Sequence, residues 1–75
     1  MEEKIRKIIE DTSGIDIKNY PNSFKFMDDL GCDSLDVIDI IMRTEREFNI
    51  SIPDSDVTKI ITIQDLIDYT TKRCK

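Results

Sequence analysis

At 75 residues, 39% hydrophobic and 36% charged, the chain has the make-up of a single small globular domain spanning 1–75. A chain this short buries only about 60–65% of the surface its unfolded form exposes, which leaves little room for an enclosed active site. A formal charge of −5 without any histidine lacks the basic face that nucleic acid needs, and suits partners that carry positive patches.

The first predicted helix spans residues 2–13. Glu2 and Glu3 stand in its first turn, where the helix dipole favours anions. Ile5, Ile8 and Ile9 recur at helical spacing, and Gly14 supplies a C-terminal stop. From 15 to 33 there is no clean period, and Asn19-Tyr20-Pro21-Asn22 is turn chemistry. Ile15, Ile17, Tyr20, Phe24, Phe26, Met27 and Leu30 can pin this stretch to the helices, so it reads as a long ordered loop.

The longest predicted helix runs from 34 to 48. Asp33 serves as its N-cap, Asp36 completes a variant capping box, and Asn49 is the stop. Pro53-Asp54 breaks the chain, and a short helix follows from Asp54 to about Ile60. Thr62-Ile63-Gln64-Asp65 matches a capping box and starts the last helix, which ends at about residue 72. Ile63, Leu66, Ile67 and Thr70 line one of its faces, and Lys72, Arg73 and Lys75 lie at its C-terminal end. The expected fold is all-α: a small four-helix bundle of three main helices and one short one, with the long loop between the first and second.

On a wheel of 100° per residue with Leu35 at zero, Val37, Ile40, Ile41, Thr44 and Phe48 fall within about 140–240°, a normal core-facing stripe. Leu35, Ile38 and Met42 fall at about 0°, 300° and 340°, on the far side, with Asp39 and Arg46 beside them and Asp36, Arg43 and Glu45 at the flanks. A core of this size uses one face of the helix. The second stripe is either a docking surface rimmed by charge or a face covered by the long loop. Charge collects here too: residues 28–56 hold nine acids and two bases, a net of −7, leaving +2 for the rest of the chain.

Ser34 opens this helix and admits three readings. As a catalytic nucleophile it needs a base within reach, and no histidine exists to serve. As a plain helix cap it competes with Asp33. As an attachment point it exploits the free amides and partial positive charge of a helix N-terminus, which would stabilise a phosphate ester made there by an outside enzyme. No catalytic or metal-binding set is expected within the chain. The two cysteines, Cys32 and Cys74, form neither a disulfide framework nor a zinc site, and acidic loops such as Asp28-Asp29-Leu30-Gly31 lack the alternating ligands of a calcium loop. The opening MEEKIRKIIE does not resemble a signal peptide, and no apolar run approaches the roughly 20 residues of a membrane span; a reducing cytoplasm is the expected setting.

The run Leu30-Gly31-Cys32-Asp33-Ser34-Leu35-Asp36 resembles the Leu-Gly-x-Asp-Ser-Leu motif of acyl carrier proteins of the fatty acid synthase type. The resemblance continues through Glu45-Arg46-Glu47-Phe48, Ile52-Pro53-Asp54, Ile61-Thr62-Ile63-Gln64-Asp65 and Ile67-Asp68-Tyr69. It implies a monomeric carrier, not an enzyme. A holo-carrier-protein synthase would transfer 4′-phosphopantetheine from coenzyme A to Ser34, and the thiol of that arm would hold growing acyl chains as thioesters. The condensing and reducing enzymes of fatty acid synthesis would be its partners. By the resemblance and the wheel together, Asp33, Leu35, Asp36, Ile38, Asp39, Met42 and Glu45 are the docking residues, and Ile40, Ile41, Thr44 and Phe48 help line an acyl pocket. The alternative is a dedicated carrier of a specialised lipid, polyketide or peptide pathway. Arg43 and Arg46 keep that alternative open, because they make the docking helix less negative than the family pattern. Thr44 on the core stripe has two readings, a hydroxyl bonded back to the Ile40 carbonyl or a modified acyl pocket.

Overall fold

Four helices form, and two of them start at the capping boxes that the sequence places at Asp33 and Thr62. The computed structural model describes residues 1–74 and contains α1 (Glu2–Ser13), α2 (Ser34–Phe48), α3 (Asp54–Val57) and α4 (Ile63–Arg73). Among the described residues there is no strand, only one isolated antiparallel bridge between Lys25 and Thr62. Lys75, expected at the C-terminal end of α4, lies outside the described residues.

The helix ends follow local chemistry. Gly14 closes α1 with φ 74°, and its amide donates to the Glu10 carbonyl at 2.8 Å. At the start of α2 the Asp36 amide donates to the Asp33 carboxylate at 2.9 Å, and the Asp33 amide donates back to Asp36 at 3.4 Å. Asn49 ends α2 in the left-handed region, φ 54°, a conformation its short polar side chain tolerates. The reciprocal box at α4 joins the Asp65 amide to the Thr62 hydroxyl at 3.0 Å and the Thr62 amide to Asp65 at 3.1 Å.

The short helix is shorter than its expected reach to Ile60. Beyond Val57 the chain tightens into three-residue turns, Lys59 donating to Asp56 at 3.0 Å and Ile60 to Val57 at 3.1 Å. Ile60 is buried there, and just beyond it the Ile61 carbonyl accepts the Phe26 amide at 3.0 Å, which ties the chain to the long loop.

The core joins Ile5 and Ile9 of α1, Val37, Ile40, Ile41 and Thr44 of α2, and Ile63, Leu66, Ile67 and Thr70 of α4. Burying each large aliphatic side chain contributes about 1.5–3 kcal/mol. Thr44 sits there without cost to polarity, since its hydroxyl donates to the Ile40 carbonyl at 2.8 Å. The long loop is ordered as expected. Ile17, Phe26 and Leu30 are buried, and the Arg6 guanidinium binds Asn22 and the carbonyls of Ile17 and Tyr20. Pairing of residues 22–26 with residues 61–64 then ties the loop to the start of α4. This brings the loop's end, and with it the start of α2, against the segment that follows α3.

Candidate functional site

The site begins with the turn that presents Ser34. Gly31 takes φ 74°, a left-handed conformation that glycine adopts without a Cβ penalty, and Cys32 donates its amide to the Phe26 carbonyl at 2.9 Å. The chain then enters α2 with Ser34 as its first helical residue, and the Ser34 side chain is exposed. Helix geometry leaves the Ser34 and Leu35 amides without an intrahelical acceptor. The Asp36 amide is met by Asp33, and the Val37 amide by the Asp33 carbonyl at 3.1 Å. An anion on the Ser34 oxygen would therefore sit beside open donors and the positive end of the α2 dipole. The capping role belongs to Asp33, so Ser34 is free of it.

Beside Ser34 lies a cavity of about 440 Å³. Its wall is the loop of residues 25–28 on one side, Val37 and Ile38 of α2 on another, and Val57, Thr58, Ile60 and Ile61 on the third. The lining is mostly apolar, and Lys25 and Asp28 at its edge form an ion pair at 3.9 Å. A second cavity, about 370 Å³, lies further along α2 between Ile38, Ile41, Met42, Glu45, Ile52, Asp54 and Val57. Ile38 and Val57 border both.

The four residues expected in an acyl pocket take different places. Ile40 and Thr44 are fully buried in the core, Phe48 is half-buried at its edge, and Ile41 lines the second cavity. None of them lines the cavity beside Ser34. The residues that do come from three stretches, 25–28, 34–38 and 57–61, and their alignment depends on the pairing of the loop with residues 61–64, for which no local pattern exists. The loop's apolar residues gave the only hint, Phe26 as a buried wall and Met27 as an exposed rim.

The second stripe of α2 is open. Leu35 is 73% exposed, Met42 48% and Ile38 46%, so the long loop does not cover it. Asp33 and Asp36 hold each other's amides, Asp39 pairs with Arg43 at 3.4 Å, and Glu45 accepts the Ile52 amide at 2.8 Å. Cys32, two residues before Ser34, is buried; burial, then the nearby Asp36 and Asp33 charges, push its thiol above its usual pKa. Among the described residues no group of His, Cys, Asp and Glu side chains could hold a metal ion.

An exposed Ser34 hydroxyl at a helix N-terminus, beside a mostly apolar hollow, is suited to presenting an attached group to other proteins, as a small helical carrier domain does. The family described as the phosphopantetheine attachment site matches residues 3–70. The crystal structure of an acyl carrier protein from Thermotoga maritima is similar with a TM-score of 0.82 and 37% identity, over 95% of this chain and 82% of that one. A protein provisionally named as an acyl carrier protein from Mycobacterium tuberculosis is similar with a TM-score of 0.88 and 31% identity, over 95% of both chains. The chain belongs to the acyl carrier protein family, whose members bear phosphopantetheine and are carriers, not enzymes. Work of that kind requires contact with the enzyme that loads the arm and with those that process the acyl group. No helix among the described residues is long and apolar enough to cross a membrane.

Proposed function

We propose that Ser34 is the attachment residue for 4′-phosphopantetheine, and that the protein is a monomeric carrier of fatty acid synthesis in the cytoplasm. The observation that carries this reading is the exposed Ser34 side chain at the start of α2, on the rim of the 440 Å³ cavity. The residues fit the group. Open amides of the first turn favour its phosphate, and the apolar wall of Phe26, Val37, Ile38 and Ile61 suits an acyl chain. In the second cavity, Ile41 continues that wall. Ile40, Thr44 and Phe48 contribute behind it, by backing the helix face that the chain would rest on. When bound, the arm supplies a thiol that carries acyl groups as thioesters.

Loading makes one bond and breaks one. The Ser34 oxygen attacks the phosphorus next to the pantetheine, the pyrophosphate link of coenzyme A breaks, and adenosine bisphosphate leaves. The hydroxyl proton passes to a base of the transferase, since the neighbouring carboxylates of this chain, Asp33 and Asp36, are tied into the capping box. Asp33 holds the first turn in place by capping it. Asp33, Leu35, Asp36, Ile38, Asp39, Met42 and Glu45 form the surface that visiting enzymes touch, with holo-carrier-protein synthase first among them. Two unpaired cysteines suit a reducing compartment.

Intact mass spectrometry tests the assignment. After incubation with coenzyme A, magnesium and a broad-range transferase, the protein gains one phosphopantetheinyl unit, and Ser34→Ala abolishes the gain without unfolding the helices. A gain that survives in Ser34→Ala would refute the attachment site. A second reading, a carrier dedicated to a specialised lipid, polyketide or peptide pathway, is favoured by the exposed Arg43 and Arg46 on α2. Poor acceptance by general ketosynthases would support it over the first.

A further inference from the structure

The exposed face of α2 carries its charge unevenly. Between Asp28 and Asp56 there are nine acids and only two bases, and both bases, Arg43 and Arg46, stand in the second half of this helix. Arg46 follows Met42 by one turn and continues the row of Leu35, Ile38 and Met42. It is exposed and has no ion pair among the described residues.

Four of the acids on or beside this face are already engaged, whereas Glu47, about 100° round the helix from Arg46, is exposed without a partner among the described residues. Asp33 and Asp36 are held by the capping box, near Ser34. Asp39 is paired with Arg43, which offsets its charge. Glu45 is turned to the Ile52 amide. The surface is thus bipolar, with acid beside Ser34, an apolar row in the middle, and an uncommitted guanidinium at the far end.

Resting on the carrier reading above, we propose that Arg46 is a partner-selecting residue, matched by a carboxylate on the enzyme this carrier serves. Twelve residues of helix at 1.5 Å each put Arg46 about 18 Å along the axis from Ser34. The complementary enzyme therefore has basic groups at the mouth where the arm enters, an apolar socket for Leu35, Ile38 and Met42, and an acid about 18 Å away. An enzyme whose docking face is basic throughout meets Arg46 with like charge, and is disfavoured.

The probe is a ketosynthase of general fatty acid synthesis with a uniformly basic docking face, used with the loaded carrier. A second version of the probe has the lysine or arginine opposite Arg46 replaced by Glu. With the unaltered probe, Arg46→Glu raises kcat/KM for acyl transfer about 3- to 10-fold at low salt, and the gain shrinks as salt rises. With the Glu version the order reverses, and the unaltered carrier is the better substrate. Lys7→Glu on α1 makes the same change in net charge away from this face, and shifts either rate less than about twofold.

Equal rates for the parent and Arg46→Glu carriers on both probes, or an effect matched by Lys7→Glu, would overturn the proposal. So would a dimer in sedimentation velocity that Arg46→Glu dissociates, because a second copy of the chain would then occupy this face. Mass gain at Ser34 is measured first. A carrier that loads but ignores Arg46 refutes partner selection alone, whereas one that never loads refutes the carrier reading and this proposal together.

Discussion

Cys32 lies two positions from the proposed attachment site, yet its environment keeps it chemically quiet. Only the thiolate is a good nucleophile, and burial raises the thiol pKa from its reference of 9.0, with Asp36 and Asp33 adding to the effect. Cys74 is half-buried at the end of α4, with its sulfur 3.8 Å from the Phe48 carbonyl. Iodoacetamide at pH 8 should therefore label Cys74 well before Cys32, by peptide mass spectrometry; comparable rates would contradict the burial argument. The same shift has a sign for stability. Because the folded state holds the proton more tightly, the Cys32 contribution is complete below pH 9.0 and is lost as pH rises through the folded-state value. Cys32→Ala should accordingly lose less stability than the parent between pH 8 and pH 10, measured as a denaturant midpoint. Thr44 illustrates a residue whose role needed coordinates. Its place on the core stripe was readable, but only the 2.8 Å bond to Ile40 shows how the buried hydroxyl is satisfied.

Among the elements, α3 depends most on its neighbours. Four residues make no stable helix alone. Asp56 anchors it: the Tyr69 hydroxyl donates to its carboxylate at 2.6 Å, Arg73 approaches at 3.3 Å and Lys59 at 3.8 Å. Burial, and then the bond to Asp56, keep the Tyr69 proton in place by raising its pKa. Val57, next to Asp56, borders both cavities, so this anchor also fixes a cavity wall. Asp56→Ala should cost about 1–2 kcal/mol. Hydrogen exchange should quicken over residues 57–60, while the Ile5 and Ile9 amides of α1 keep their protection. Unchanged protection after Val57 would show that apolar packing alone holds α3. The three long helices were legible because each carries its own signal: a cap at Asp33 or Thr62, a stop at Gly14 or Asn49, and a 3.6-residue stripe. The end of α3 was not: after Val57 the chain tightens into three-residue turns and then pairs at Ile61 with Phe26, 35 positions away, and no local pattern encodes that pairing. The hollow beside Ser34 escaped for a related reason. Periodicity tells which side of a helix is buried, but not where two buried surfaces fail to meet.

Across the whole molecule, charge opposes the compaction that the core drives. The −7 of residues 28–56 is folded into a chain whose remaining residues carry +2, and it includes the tight pairs Asp28-Asp29, Asp33-Asp36 and Asp54-Asp56. Two like charges about 10 Å apart repel by about 0.4 kcal/mol in water, and several such pairs act at once. Attraction offsets part of this. Four ion pairs are present among the described residues, but every one includes a side chain that is 47% or more exposed, and exposed pairs contribute about 0–1 kcal/mol each. Salt weakens repulsion and attraction together, so the larger sum decides the sign. Repulsion runs over nine carboxylates, whereas three of the four attractive pairs are local helical or turn contacts that survive partly in the unfolded chain. Raising ionic strength from about 0.01 M to about 0.15 M shortens the screening length from about 30 Å to about 8 Å, well inside the span of the molecule. The melting temperature should rise by about 4–8 °C, corresponding to about 1 kcal/mol for a domain of this size. The rise should be largest below about 0.1 M, where the screening length changes most. A melting temperature that falls with salt over this range would mean that the ion pairs, those of Asp56 foremost, outweigh the crowding of acid around Ser34.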